Sequence, residues 1–342
     1  MMTQSTTAAG LPQRRPRPVI IDCDPGIDDA VALLMALSRT DAFDVLGICT
    51  VAGNAPLAST EKNARKICEL AHRRDIKVFA GCPRPMAREP ITATHVHGES
   101  GMSGYELEEP TMPLQRQHAV AYLLDCLSDE KEEEAKPTLV IIGPMTNLAV
   151  ALVQRPRIAE NIAQIVAMGG GIGGGNVTPA AEYNVYADPH AAHVVLSSGI
   201  ATTLIGLNVT QQLVVTLERL QELKSLKTLV GDFVAGLFGP RANQEDEGDE
   251  MYMGLPTLRC VHDACTIAYL LTPELFTIMP AKIEVELGNA GTLGFTSVTI
   301  LKRGGGGAAL SSTKIATAMD EKGVFRMIVR CLQGLVDHSQ AR

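Results

Sequence analysis

The sequence predicts an α/β protein: an open, mainly parallel, doubly wound sheet with flanking helices. Three observations lead there. Strand-length apolar runs alternate with segments of helical periodicity, the pattern of successive βα units. Hydrophobic residues make up 46% of a 342-residue chain, enough for one large α/β core. The residues directly after the apolar runs are polar or glycine-rich, as expected where an open sheet presents its strand ends to a ligand.

The elements come in a regular order. Residues 19–22 form a short apolar strand stopped by Pro25-Gly26, and 28–37 carry the Ala/Leu/Met-rich pattern of a helix. A second strand spans 44–51, with a helix over 58–71 after it. The stretch 81–113, rich in Pro, Gly and His, reads as a long loop, and the charge run 128–136 as a solvated turn. Further strands lie at 138–142, 164–168 and 202–207, with helices at 147–153 and 189–197. The acidic segment 239–250 reads as a flexible loop. Runs 283–287 and 296–301 read as a hairpin or edge strands, and 320–335 as the last helix. Residues 1–17, rich in Ser, Thr, Arg and Pro, are expected to be a disordered tail before a single domain over 18–342.

Composition excludes several function classes. The formal charge is −8 with no basic helix face, which speaks against nucleic acid as a partner. No apolar run approaches the roughly 20 residues of a membrane span. Eight cysteines without a CxxC pair suit a reducing compartment, so cytoplasm is the expected location. The Asn-x-Thr triplets at Asn176 and Asn208 lack the signal segment that would make them glycosylation acceptors.

The chemistry lies in the residues just beyond each parallel strand. The five strand ends deliver Asp22-Cys-Asp-Pro-Gly-Ile-Asp-Asp29, Ala52-Gly-Asn54, Gly143-Pro-Met-Thr-Asn147, Met168 with a glycine run up to Asn176, and Asn208-Val-Thr210. Carboxylates, amides and close backbone with no positive charge suit a polyol and a hard cation rather than a phosphate. Four aspartates in eight residues repel one another unless a cation or separate partners hold them. Ca²⁺, with its six to eight oxygen ligands, fits such a set. A lone aspartate at a helix start is more often a cap, so Asp28, Asp29 and Asp263 each carry that plainer reading too. The glycine run 169–175 precedes Pro179 and Pro189, which spoil a dinucleotide fingerprint. No serine sits in a G-x-S-x-G setting.

The string Asp22-Cys-Asp-Pro-Gly-Ile-Asp-Asp-Ala30 resembles the N-terminal signature of the nucleoside hydrolase family. The likeness continues through Thr50-Val-Ala-Gly-Asn54, Val96-His-Gly98, Gly143–Asn147, Met168-Gly-Gly170, Ala181-Glu-Tyr-Asn184, Ala187-Asp-Pro189 and His262-Asp263, in the family's order over roughly residues 18–270. The resemblance implies the nucleoside hydrolase fold, a bound Ca²⁺ and a ribonucleoside substrate whose base is cut from its ribose. It implies calcium ligation by Asp24, Asp29, Asp263 and the Thr146 carbonyl. Asp28, Asn54, Asn176, Glu182 and Asn184 would hold the sugar, Met168 would pack at the ribose, and His97 and His262 would lie near the base. Asp24 would accept the proton of the attacking water, with Asn54 beside it, and His262 would protonate the leaving base. The family also implies a homodimer or homotetramer and a setting in nucleoside salvage.

The His-Asp pair resembles the branch of broader or inosine–uridine preference, and the chain has no Trp to stack a purine. A 6-oxopurine specialist stays open, with Tyr252 or Phe238 as residues that would reach the base from a closing lid. Two other classes remain. A Mg²⁺ phosphohydrolase using Asp22 or Asp24 would need Lys or Arg at the strand ends, and none is there. A non-catalytic ribose or nucleoside sensor would have lost Asp24 or a calcium ligand, and all are present.

Overall fold

Nine strands hydrogen-bond into one sheet, and its order explains where the polar loops gather. The computed structural model describes residues 15–129, 132–239, 251–252, 255–256, 260–301 and 312–335. In chain order the strands are β1 (Arg17–Cys23), β2 (Phe43–Thr50), β3 (Val78–Ala80), β4 (Thr138–Ile141), β5 (Gln164–Met168), β6 (Thr202–Ile205), β7 (Met251–Tyr252), β8 (Leu255–Pro256), β9 (Phe276–Val285), β10 (Thr296–Ile300) and β11 (Thr313–Met319). The large sheet runs β10-β9-β11-β6-β5-β4-β1-β2-β3, and β7 pairs separately with β8. From β3 to β11 every pairing is parallel; β9 and β10 add an antiparallel edge.

The chain winds outward from β1 through β2 to β3, then returns to β4 on the other side of β1. That reversal is the topological switch point, where the loops part and leave a crevice. Register sets the depth of the crevice. Cys23 lies opposite Thr50, Asp22 opposite Ile141, Ile141 opposite Ala167, and Met168 opposite Ile205. Five strands therefore end level, and the polar segments after them meet at one edge.

Helices α1 (Ile27–Ser38) and α2 (Leu57–Leu70) come after β1 and β2, and α3 (Thr94–His97) and α4 (Ala119–Cys126) after β3. Helix α5 (Thr146–Gln154) succeeds β4, and α6 (Tyr183–Ala187) and α7 (Pro189–Leu196) succeed β5. Helices α8 (Leu207–Thr210), α9 (Leu217–Ser225) and α10 (Leu229–Phe238) come after β6, with α11 (Ala264–Leu271) and α12 (Glu321–Gly334) completing the chain. The two-residue period of β1 divides the core. Val19, Ile21 and Cys23 pack with α1, α10, α11 and α12 on one face, while Ile20 packs with α4, α5 and α7 on the other. Among the described residues no helix is long and apolar enough to cross a membrane.

Several elements depart from the sequence reading. The strand expected over 202–207 stops at Ile205, because Gly206 turns the chain and caps α8. The edge strand expected at 283–287 is longer and earlier, Phe276–Val285, because it pairs on both sides. Strands β3 and β11 are additions to the expected set; Thr-Lys-Ile-Ala-Thr-Ala-Met of β11 is small and mixed, and its pairing with β6 and β9 makes it a strand. The tail expected over 1–17 lies outside the described residues up to 14, and Arg17 already belongs to β1. Of the loop expected over 239–250, residues 240–250 lie outside them as well, as does the side chain of Tyr252. Phe238 packs in the apolar core beside Phe233, not on a lid.

One side chain clips the switch point together. Buried Asn147, at the start of α5, donates through Nδ2 to Asp22 Oδ1 at 2.8 Å and to the Thr50 carbonyl at 3.1 Å. Its Oδ1 accepts from the Cys82 amide at 2.8 Å. It thereby joins the ends of β1, β2 and β3 to α5. Asn147→Ala would strand these buried groups, so a fall of about 3 kcal/mol in unfolding free energy is expected from urea titration with an unchanged slope. A midpoint equal to wild type would contradict the clip.

Candidate active site

The turn Asp24-Pro25-Gly26 leads from β1 into α1 and places Asp28 and Asp29 in the helix's first turn. Asp29 folds back over the turn: Oδ1 accepts the Asp24 amide at 3.2 Å, and Oδ2 accepts the Gly26 amide at 3.0 Å. It caps the helix, in line with the plainer reading, but that is not all it does. Asp263 precedes α11 and makes no side-chain capping bond, so its carboxylate is not spent on the helix. Oxygens of Asp28, Asp29 and Asp263 lie within 4.8 Å of one another, a group that could hold a metal ion.

Asp24 is fully buried against the same group. Its Oδ2 accepts the Asn54 amide at 2.7 Å, while Oδ1 has no partner among the described residues. Backbone presses on both oxygens. A Cβ at Gly53 would collide with Oδ2, and one at Gly143 would stand 2.5 Å from Oδ1. The glycines of Ala-Gly-Asn54 and Gly143-Pro-Met-Thr are therefore there for close approach. Thr146 lies buried four residues on from Ile142, at the head of α5.

The electrostatics of this group are one-sided. No ion pair among the described residues reaches Asp24, Asp28, Asp29 or Asp263. Burial, then repulsion from Asp29, holds the Asp24 carboxyl well above the usual range. Burial, then repulsion from Asp28, pushes Asp29 up to about 7, and burial with repulsion from Asp28, Asp29 and Asp24 raises Asp263. Buried, mutually repelling carboxylates without a basic partner, one with an orphaned oxygen, match the hard oxygen donor set of a divalent cation.

The remaining expected residues hold the surrounding loops and helix starts through hydrogen bonds. Asn54 donates through Nδ2 to Asp29 Oδ2 at 3.0 Å and to the Asp24 carbonyl at 3.2 Å, so its amide nitrogen holds the acidic turn in shape. Asn184 reaches the Ile142 carbonyl at 3.0 Å and the Met168 carbonyl at 3.4 Å, joining α6 to the ends of β4 and β5. Glu182 caps α6 and accepts from the amides of Asn184, Gly170 and Val185; burial nevertheless raises it to about 7. Asn176 Oδ1 accepts the Tyr183 amide at 2.9 Å. His97 Nδ1 accepts the Ile27 amide at 3.1 Å, which seats α3 on the acidic turn. His262 Nδ1 lies 2.8 Å from Thr210 Oγ1, and burial lowers its pKa against the pull of Asp28.

Known proteins resemble this chain over most of its length. The inosine-uridine preferring nucleoside hydrolase family matches residues 19–326. A pyrimidine-specific ribonucleoside hydrolase RihA from Shewanella woodyi is 42% identical over 282 residues, covering 82% of this chain and 88% of that protein. The chain belongs to the nucleoside hydrolase family. It is accordingly a hydrolase of N-glycosyl bonds acting on ribonucleosides. Among solved structures, a purine-preferring ribonucleoside hydrolase from Gardnerella vaginalis superposes with a TM-score of 0.80 at 26% identity, over 93% of this chain and 99% of that one. The plant nucleoside hydrolase PpNRh1 gives a TM-score of 0.81 at 29% identity, over the same shares of each chain.

Three buried side chains that hold the site of this nucleoside hydrolase have no role assigned in the sequence reading, although Asp188 and Thr210 lie in segments it singles out. Asp188 Oδ2 accepts from Thr146 Oγ1 at 2.7 Å and from the Met86 amide at 2.9 Å. Its other oxygen caps α7, so the Asp-Pro189 helix start is the available signal. Asn63 of α2 donates to the Pro25 carbonyl at 2.9 Å and the Ser100 carbonyl at 2.7 Å, tying the acidic turn to the loop after α3. Thr210 has no sequence signal beyond its place after β6.

The raised carboxylates make stability depend on pH with a definite sign. Asp22, Asp29 and Glu182 each rise to about 7 in the folded state, from ordinary values near 4. Their protons favour the native state below about pH 4, and that stability is lost as pH climbs through about 7. Chelated hydrolase should therefore melt higher at about pH 5 than at about pH 8. A divalent cation held by these carboxylates, at roughly a hundred times its Kd, should restore about 3 kcal/mol at the higher pH. Equal melting at both values, with no response to a divalent cation, would contradict a metal site here.

Proposed function

We propose that the chain is a calcium-dependent ribonucleoside hydrolase. The observation that carries this reading is the buried group of Asp24, Asp28, Asp29 and Asp263, with which no Lys or Arg pairs among the described residues. Asp24, Asp29, Asp263 and the Thr146 carbonyl would hold the ion. When bound, Ca²⁺ would neutralise these carboxylates, anchor the two neighbouring ribose hydroxyls and position the attacking water.

The chain's own residues do the rest. Loss of the base leaves positive charge on the sugar's C1′, as in glycoside hydrolysis. Carboxylate and amide oxygens around the ring favour that charge over the neutral ground state, which is what lowers the barrier. Asp28, Asn54, Asn176, Glu182 and Asn184 hold the sugar hydroxyls, and Met168 packs against the ring. Asp24 takes the proton of the water. His262 and His97 attend the base, with His262 acting on its departure.

Pyrimidine ribonucleosides such as uridine come first among substrates in this reading. The RihA relative at 42% identity, described as pyrimidine-specific, supports that choice. Inosine and guanosine form the second reading, favoured by the likeness to the purine-preferring structure from Gardnerella vaginalis. The absence of Trp weighs against indole stacking of a purine. A homodimer or homotetramer, a cytoplasmic setting and a place in nucleoside salvage complete the proposal; eight free thiols support the reducing compartment.

Incubating the protein with uridine, cytidine, inosine, guanosine and adenosine, with and without chelator, ranks the bases directly. Ribose release should vanish on chelation and fall by at least about a thousandfold in Asp24→Ala. Activity indifferent to chelation would sink the calcium reading, and no ribose from any nucleoside with calcium bound would favour a sensor. His262→Ala should slow uridine far more than a riboside with an activated leaving group; equal losses would remove His262 from the leaving step.

A further inference from the structure

Thr210 and His262 meet deep beside the acidic group, and their protons can be counted. Thr210 is fully buried on α8, and its Oγ1 lies 2.8 Å from His262 Nδ1. Among the described residues the Thr210 hydroxyl has no second hydrogen-bond partner. If Nδ1 carried a proton and donated it to Oγ1, the hydroxyl's own proton would be left buried without an acceptor. That holds for the Nδ1–H tautomer and for the imidazolium alike. A stranded buried donor is the costly arrangement, so the hydroxyl donates and Nδ1 accepts. A neutral imidazole whose Nδ1 is an acceptor carries its proton on Nε2, across the ring.

The geometry points to Thr210 as a positioning residue that fixes His262 as the neutral Nε2–H tautomer, a hydrogen-bond donor to the departing base. This rests on the assignment of His262 to the leaving base made above. It alters what His262 does there. The C1′–N bond breaks with its electron pair going to the base, and the Nε2–H hydrogen bond stabilises the growing negative charge without giving up its proton. The proton that completes the free base is the one Asp24 removes from water, returned through solvent, so atoms and charge balance.

Thr210→Val keeps the shape and removes the hydroxyl, and Thr210→Ser restores it. Nitrogen-15 correlation spectra of the calcium-loaded protein should show His262 as the Nε2–H form in wild type and Thr210→Ser, and as a mixture of tautomers in Thr210→Val. The kcat on uridine should drop about tenfold in Thr210→Val with KM little changed, and recover in Thr210→Ser. A riboside with an activated leaving group should lose less. An Nδ1–H or imidazolium signal in wild type, or a Thr210→Val enzyme with unchanged tautomer and kcat, would overturn the proposal. An intact Nε2–H signal, lost in Thr210→Val, beside equal losses on both substrates in His262→Ala would spare the coupling and sink the leaving-group role.

Discussion

The structure depends on a set of mutually repelling carboxylates held together where no cationic side chain among the described residues pairs with them. Asp24, Asp28, Asp29 and Asp263 are buried at the carboxyl edge of the sheet, and no Lys or Arg among the described residues pairs with any of them. Uncompensated buried charge is among the most expensive features a fold can carry. The surrounding architecture makes sense as the means of keeping it in place. Gly53 and Gly143 leave room for Asp24, Asn54 bridges Asp24 to Asp29, and His97 and Asn63 seat the loop after α3 on the same turn. Behind them, Asn147 joins three strand ends to α5, and Asp188 fastens Thr146.

This arrangement also explains why the site lies where it does. The chain reverses direction between β1 and β4, so the loops after those two strands diverge and open a crevice at the sheet edge. Level strand ends bring five loops to one depth. The aspartates come from the first of these loops and from the start of α11, so closing the site requires elements more than two hundred residues apart.

Much of this is legible in the sequence because the physics there is local. Four aspartates around a Pro-Gly turn signal a cation or a cap before any fold is known, and alternating apolar runs signal βα units. The features that escape sequence reading depend on register and packing. Strand β11 has no strong strand composition and exists because β6 and β9 flank it. Asp28 reads as a sugar-holding residue, yet its carboxylate stands with Asp29 and Asp263 in one group. The roles of Asn63, Asp188 and Thr210 are visible only once distant elements meet: their partners lie 38, 42 and 52 residues away. Asn54 is legible as a polar residue at a strand end and Glu182 through the family resemblance, but neither as the side chain that shapes the turn or caps α6.

The oxygen donor set of this acidic group fits a divalent cation. Burial and mutual repulsion raise Asp24 and Asp263 above the ordinary carboxylate range and Asp29 to about 7, so these carboxyls hold protons in competition with a cation. Binding a cation must displace them. Calorimetric titration of the chelated protein with Ca²⁺ near neutral pH, repeated in two buffers of different ionisation heat, reads affinity and proton release together. A single-site isotherm with a buffer-dependent heat, abolished in Asp263→Asn, is the predicted result. A flat titration, or binding that survives Asp263→Asn with no proton release, would contradict it.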